Sequence, residues 1–210
     1  MSIQMSKTQH NLMLRALAVF MLTAGLAVVV NSQKYGFRPN YSISRYVGLE
    51  TWSAVLFAFG NIFVAGWMAK YLFQIGRSWQ VRHWYFWVVV VMVVTLIGLS
   101  VCPLGYFSRL GLALPDRIHE ICSRTMFAAM LLIAGVALVQ KEMRFPVRVA
   151  AGVFMLYGLM CAFGYFGHVT WFRGNLLYFE TSYLVGFMLV SWSFQNRLPK
   201  LKKGAKNGTT

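Results

Sequence analysis

Long apolar blocks separated by short polar breaks dominate this chain. Six blocks stand out: Leu12–Val30, Thr51–Phe73, Trp84–Phe107, Ile118–Gln140, Val147–Gly167 and Leu176–Phe194. They show neither the strict alternation of a half-buried strand nor the narrow stripe of a water-facing helix. They are apolar all round, as helices exposed to lipid are. Each approaches the ~20 residues that a helix rising ~1.5 Å per residue needs to cross a ~30 Å hydrocarbon core. A helix pairs its own backbone N–H and C=O groups, which lipid cannot do for it. The pattern therefore predicts an all-α fold, an integral membrane bundle of six transmembrane helices. Residues 1–11 read as an N-terminal segment, 12–195 as the six-span domain and 196–210 as a basic tail without structure of its own.

Composition supports the membrane reading. Charged residues make up 12% of the 210 positions, against ~25% in a soluble domain. The net charge of +15 is unevenly spread. Thirteen of the twenty Lys and Arg fall at the block ends on the side of the N-terminus, among them Lys70, Arg77, Arg82, Arg144 and Arg148; seven fall on the other side. The positive-inside rule then puts both termini in the cytoplasm, with the inner (plasma) membrane of a bacterium as the expected location. Four of the five acidic residues, Glu50, Asp116, Glu120 and Glu180, are exofacial on this reading. The basic excess suits orientation and attraction to anionic headgroups. It lacks the aromatic interleaving of a nucleic-acid surface, so the partners expected are the bilayer, a lipid headgroup or another membrane protein, with no nucleic acid. The first block has a basic flank like that of a signal peptide, but "VVVNSQK" lacks a small-residue cleavage site, and it reads as an uncleaved first span.

Polar chemistry gathers on the exofacial side. The stretch "LPDRIHEICSRT", residues 114–125, opens the fourth block. Pro115 suits a first helical turn, and Asp116 and Glu120 suit the positive end of the helix dipole. Asp116, His119 and Glu120 stand at i, i+3 and i+4, so they share one helix face and are the candidates for acid–base catalysis. Glu180 lies about one turn inside the sixth block. An ionisable group there faces the bundle interior or water and needs a partner; His119, His168, Arg124 and Arg173 are the candidates. Asp116, His119, His168 and Glu180 supply the donor types that hold zinc or another divalent metal; a structural cluster of ion pairs and hydrogen bonds is the plainer alternative. Cys102 and Cys122 form either a disulfide or two separate thiols. Cys161 reads as packing, and Asn61 as a hydrogen-bonding partner of a neighbouring helix. No nucleophile elbow, phosphate loop or dinucleotide fingerprint is present.

A second exofacial segment, "RPNYSISRYVGLETW", runs from Arg38 to Trp52. Ser44 is a candidate cap for a short helix, and Gly48 a candidate for a tight turn. Ser44, Arg45 and Glu50, together with His168 and Glu180, are the candidate binding residues, and the segment reads as an ordered loop that plugs the bundle. Its "SISRYVG" (42–48), followed by "CPLGYF" (102–107) and "PDRIHE" (115–120), resembles the membrane family called domain of unknown function 998. More loosely, the chain is similar to DRAM/Frag-type membrane proteins. The resemblance spans about Leu12 to Phe194 and implies a six-span fold. It matches at Ser44, Gly48, Asp116 and His119, departs at Arg45 and Tyr46, and brings no assigned activity.

Three functions are therefore expected in turn. The first is a binding or accessory role, with an exofacial polar site for a lipid headgroup or a partner. The second is a membrane-embedded hydrolase or lipid-modifying enzyme using the His/carboxylate cluster. The third is a small-solute transporter, for which Asn61, Thr95 and Ser100 are few midplane polar groups.

Overall fold

The structure, a computed structural model, describes residues 11–140 and 143–194. Residues 1–10 of the expected N-terminal segment and the basic tail 196–210 lie outside the described residues. Eight α-helices fill the described chain: α1 Leu12–Tyr35, α2 Ile43–Val47, α3 Thr51–Trp79, α4 His83–Val101, α5 Leu114–Val139, α6 Phe145–Phe166, α7 Thr170–Gly174 and α8 Leu176–Ser193, with a 3-10 turn at Ser108–Leu110. No strand occurs among the described residues. Five helices, α1, α3, α4, α5 and α6, are long and apolar enough to cross a membrane. The sixth expected span forms a helix of 18 residues, α8, but carries Glu180, Thr181, Ser182 and Tyr183 in its first half and is not one of the five.

Local chemistry sets the helix ends. The third apolar block was expected to continue to Phe107, yet α4 stops at Val101. Pro103 has no N–H to give and pushes the residue before it out of the helical region; Cys102 has φ −120° and ψ 62°. α5 begins at Leu114, earlier than the apolar pattern alone suggests, because Pro115 fits the first turn and Asp116 favours its dipole. α3 runs on to Trp79. There Gln80 turns left-handed at φ 52°, and the N–H groups of Gln80 and Val81 bond back to the carbonyls of Arg77 and Gly76, a Schellman closure.

Successive helices pack as neighbours: α1 on α3, α3 on α4, α4 on α5, and α5 on α6, while α8 lies against α6 and α1. At the end near the termini, Tyr71 of α3 donates its hydroxyl to the Ser191 carbonyl of α8 at 2.7 Å. At the opposite end Glu180 of α8 meets α2. Thus α8 runs the depth of the bundle. α5 and α8 touch only sparsely, and the space between them opens toward the end remote from the termini. Asn61, expected to bond a neighbouring helix, is fully buried and neither end of its amide has a partner among the described residues. Thr23, which α1 presents to the adjacent Gly60, uses its hydroxyl on its own Val19 carbonyl.

Candidate functional site: a roofed cavity between three helices

The end of the bundle remote from the termini is covered by the segments 36–50, 102–113 and 167–175. The first is fastened from several directions. Ser42, not Ser44, caps α2: it sits in extended backbone just before the helix, and its Oγ accepts the Arg45 N–H at 3.1 Å. Ser44 lies one residue inside the helix, with its hydroxyl 2.9 Å from that of Ser42. Asn31 of α1 donates to the Tyr46 carbonyl at 2.7 Å and to Ser53 Oγ at 3.0 Å, and Ser53 donates to the Val47 carbonyl at 2.8 Å. Arg109 reaches the Leu49 carbonyl at 2.8 Å, and Leu177 N–H bonds Pro39 O at 3.0 Å. The segment is the ordered plug its hydroxyls and aromatics suggested. Gly48 was expected to supply turn freedom, but its φ of −71° is ordinary. Its glycine is needed for proximity: a Cβ there would stand 2.5 Å from the Leu104 carbonyl oxygen.

The "CPLGYF" and "PDRIHE" stretches clamp one another. His119 is buried, 6% exposed, and its Nδ1 lies 2.7 Å from the Cys102 carbonyl. A carbonyl only accepts, so Nδ1 carries the proton. The ring also engages the Leu99 backbone. These are carbonyls at the end of α4, which no further helical turn can pair. Asp116 Oδ1 accepts the Gly105 N–H at 3.0 Å. Glu120 pairs with Arg124 one turn further along α5. The Arg124 guanidinium lies over Phe166 at 5.5 Å and Tyr165 at 6.0 Å, joining α5 to α6.

Glu180 bonds none of its four expected partners. Its Oε2 accepts the Ile43 N–H at 2.7 Å. The first N–H groups of a helix have no acceptor within it, and α8 carries a carboxylate to the start of α2. Oε1 has no hydrogen-bond partner among the described residues.

Between α5, α6 and α8 lies a cavity of about 450 Å³, within the ~300–1,000 Å³ typical of ligand sites. Five of the expected site residues line it: Ser44, Asp116, His119, Glu120 and Glu180. Three do not. Arg45 projects from α2 onto the Tyr41 ring, 4.6 Å away. Glu50 precedes α3 and pairs with Lys34 and Tyr35 at the end of α1. Their hydrogen bonds, Lys34 first, hold its carboxyl below the ordinary glutamate value. His168 is exposed in the loop after α6, at φ 56°.

The apolar wall was not foreseen. It continues the same helical ladders: Phe127 and Leu131 below Glu120 and Ser123 on α5, Gly158 and Ala162 on α6, and Tyr183 below Glu180 on α8. The i, i+3, i+4 spacing from Glu120 and Glu180 was the available signal. Cys161, expected as packing, also lines the cavity. All three cysteines are free thiols, and burial pushes that of Cys102 up. No group of three or more His, Cys, Asp or Glu side chains among the described residues is placed to hold a metal ion. Of the four metal candidates, Asp116, His119 and Glu180 each bond a different backbone group, and His168 stands outside the cavity.

Comparison of the chain with protein-family profiles, with curated proteins and with solved structures gives no match in any of the three.

Proposed function

We propose that this is a six-span inner (plasma) membrane protein with both termini in the cytoplasm, and that it binds a lipid headgroup in the cavity at its exofacial end. α8 is the sixth span on this reading. Its support is that α8 reaches from the Ile43 contact at one end to the Tyr71 contact at the other. The orientation rests on the thirteen-to-seven division of basic residues. A reporter fused after Lys206 should read cytoplasmic; a periplasmic signal would reverse the orientation.

The observation that carries the binding role is the division of the cavity's lining between polar groups, such as Glu180, Arg117 and Ser44, and apolar ones, such as Phe127, Leu131 and Phe179. An amphiphile has that division, and a small polar solute does not. Binding is favoured over hydrolysis because His119 and Asp116 are committed to the backbone of the α4–α5 connection. A general base needs its nitrogen or oxygen within reach of the proton it removes.

The test is to purify the chain in a mild detergent, extract bound lipid and quantify it, beside an Ala162→Phe variant that fills the cavity. The wild type should hold lipid stoichiometrically and the variant should not, at unchanged helical content. Equal lipid in both, or none in either, would overturn the assignment.

A further inference from the structure

The charge pattern inside the cavity specifies its ligand more closely, on the premise that a lipid headgroup binds there. We propose that the headgroup is a zwitterion with a primary ammonium, that of an aminophospholipid. The ammonium lies at Glu180 and the two α2 serines, and the phosphate at Arg117.

The floor of the polar region is fixed by contacts among the three helices. Tyr183 donates its hydroxyl to the Phe127 carbonyl at 3.0 Å. A Cβ on Gly158 would stand 2.5 Å from Leu131 and 2.8 Å from Tyr183. Glu180 is one turn above Tyr183, and Ser123 one turn above Phe127, so the polar groups share the upper level. Ile43, whose N–H Glu180 accepts, lies between Ser42 and Ser44, and both serines line the cavity. The Glu180 carboxylate and the two hydroxyls, 2.9 Å from each other, therefore border the cavity around the start of α2. Three acceptor oxygens match a primary ammonium, which has three donors and no acceptor.

A quaternary ammonium donates nothing and is held by aromatic faces arranged as a cage. Here Phe172 and Phe179 are stacked on each other at 4.2 Å, Phe127 and Tyr183 meet edge to face at 4.7 Å, and Arg124 lies over Tyr165 and Phe166, so the cavity's rings are engaged with one another or with a resident cation rather than arranged as a cage. Arg117 lines the cavity and forms no ion pair among the described residues, whereas Arg124 is held by Glu120. A guanidinium with its fork free suits a phosphate. Ala128 of α5 lines the cavity and is exposed, so the wall there is low.

The experiment is native mass spectrometry of the full chain, titrated with phosphatidylethanolamine, phosphatidylcholine and phosphatidylglycerol of identical acyl chains. The ethanolamine lipid should bind about tenfold better than either other, the size of one charge-assisted hydrogen bond. Glu180→Gln keeps a carbonyl for the Ile43 N–H, so it should preserve the thermal midpoint and abolish the preference over phosphatidylcholine. Arg117→Ala, on an exposed residue, should weaken all three lipids alike, since each carries the phosphate. Lipid binding without the ethanolamine preference, or a preference that survives Glu180→Gln, would overturn this inference and leave the binding role standing. Binding of no lipid at all would remove the binding role with it.

Discussion

The two halves of the bundle use the same apolar vocabulary to opposite ends. In the half made of α1, α3 and α4, each glycine at a helix contact faces a side chain that fills the space. Gly60 receives Thr23, and Gly76 receives the ring of Tyr85. Phe20 and Phe57 meet beside them at 6.4 Å. The seams close, as small residues allow helices in lipid to do. In the half made of α5, α6 and α8, the small residues Ala128 and Ala162 face one gap. α5 and α8 barely meet, and the gap persists as the cavity. Small residues in a span therefore say that something comes close or that something is left open. Which of the two holds depends on the residue that stands across.

Substitutions that add one methyl group test this difference. The largest effect is expected at Gly48, the point where the plug touches the α4–α5 connection. Its obstacle is a backbone carbonyl 2.5 Å away, which cannot rotate aside. Gly48→Ala should cost about 1–3 kcal/mol or more, as overpacking does. A fall in the thermal midpoint of the detergent-solubilised protein would register it, at ~2–4 °C per kcal/mol for a chain of this size.

An intermediate effect is expected at Gly60. Thr23 is buried and β-branched, and its Cγ2 would be 2.5 Å from the new methyl. Overpacking of about 1–3 kcal/mol then outweighs the ~1 kcal/mol of helix propensity gained. Gly158→Ala should cost less than Gly60→Ala, although its new methyl would stand as close to Leu131, at 2.5 Å, and 2.8 Å from the Tyr183 ring. The Leu131 side chain borders the cavity and can turn into it. Equal midpoints for Gly60→Ala and Gly158→Ala would erase the distinction between a filled seam and an open one.

The smallest effect is expected at Glu50, outside both halves and partly exposed, its partner Lys34 being well exposed. Glu50→Gln should leave the midpoint unchanged at neutral pH within error, as exposed ion pairs contribute little. Because Lys34 and Tyr35 hold its carboxyl below the ordinary value, whatever it contributes is present above the unfolded glutamate pKa and lost as pH falls through the folded one. Any difference between wild type and variant should therefore vanish in acid, and one that grew in acid would contradict the pairing.

Local pattern was enough for much of this protein. The apolar blocks located the long helices, Pro115 and Asp116 the start of α5, and the i, i+3, i+4 spacing the shared direction of Asp116, His119 and Glu120. Helical geometry is set within a few residues, so short windows carry it. The same windows misplaced Arg45, Glu50 and His168, whose neighbours come from α1, from the Tyr41 ring or from open solvent. They named four charged partners for Glu180 and missed the backbone N–H of Ile43, 137 residues away. They read Gly48 as a turn when it is a point of contact with Leu104. Apart from the Arg45–Tyr41 contact, these contacts involve either a distant segment or a main-chain donor or acceptor. Almost every residue carries both main-chain groups, so no side-chain pattern marks the ones that will matter. Only the packing of the helices decides which carbonyl His119 reaches, which N–H Glu180 accepts, and where a bundle of apolar spans leaves room for a ligand.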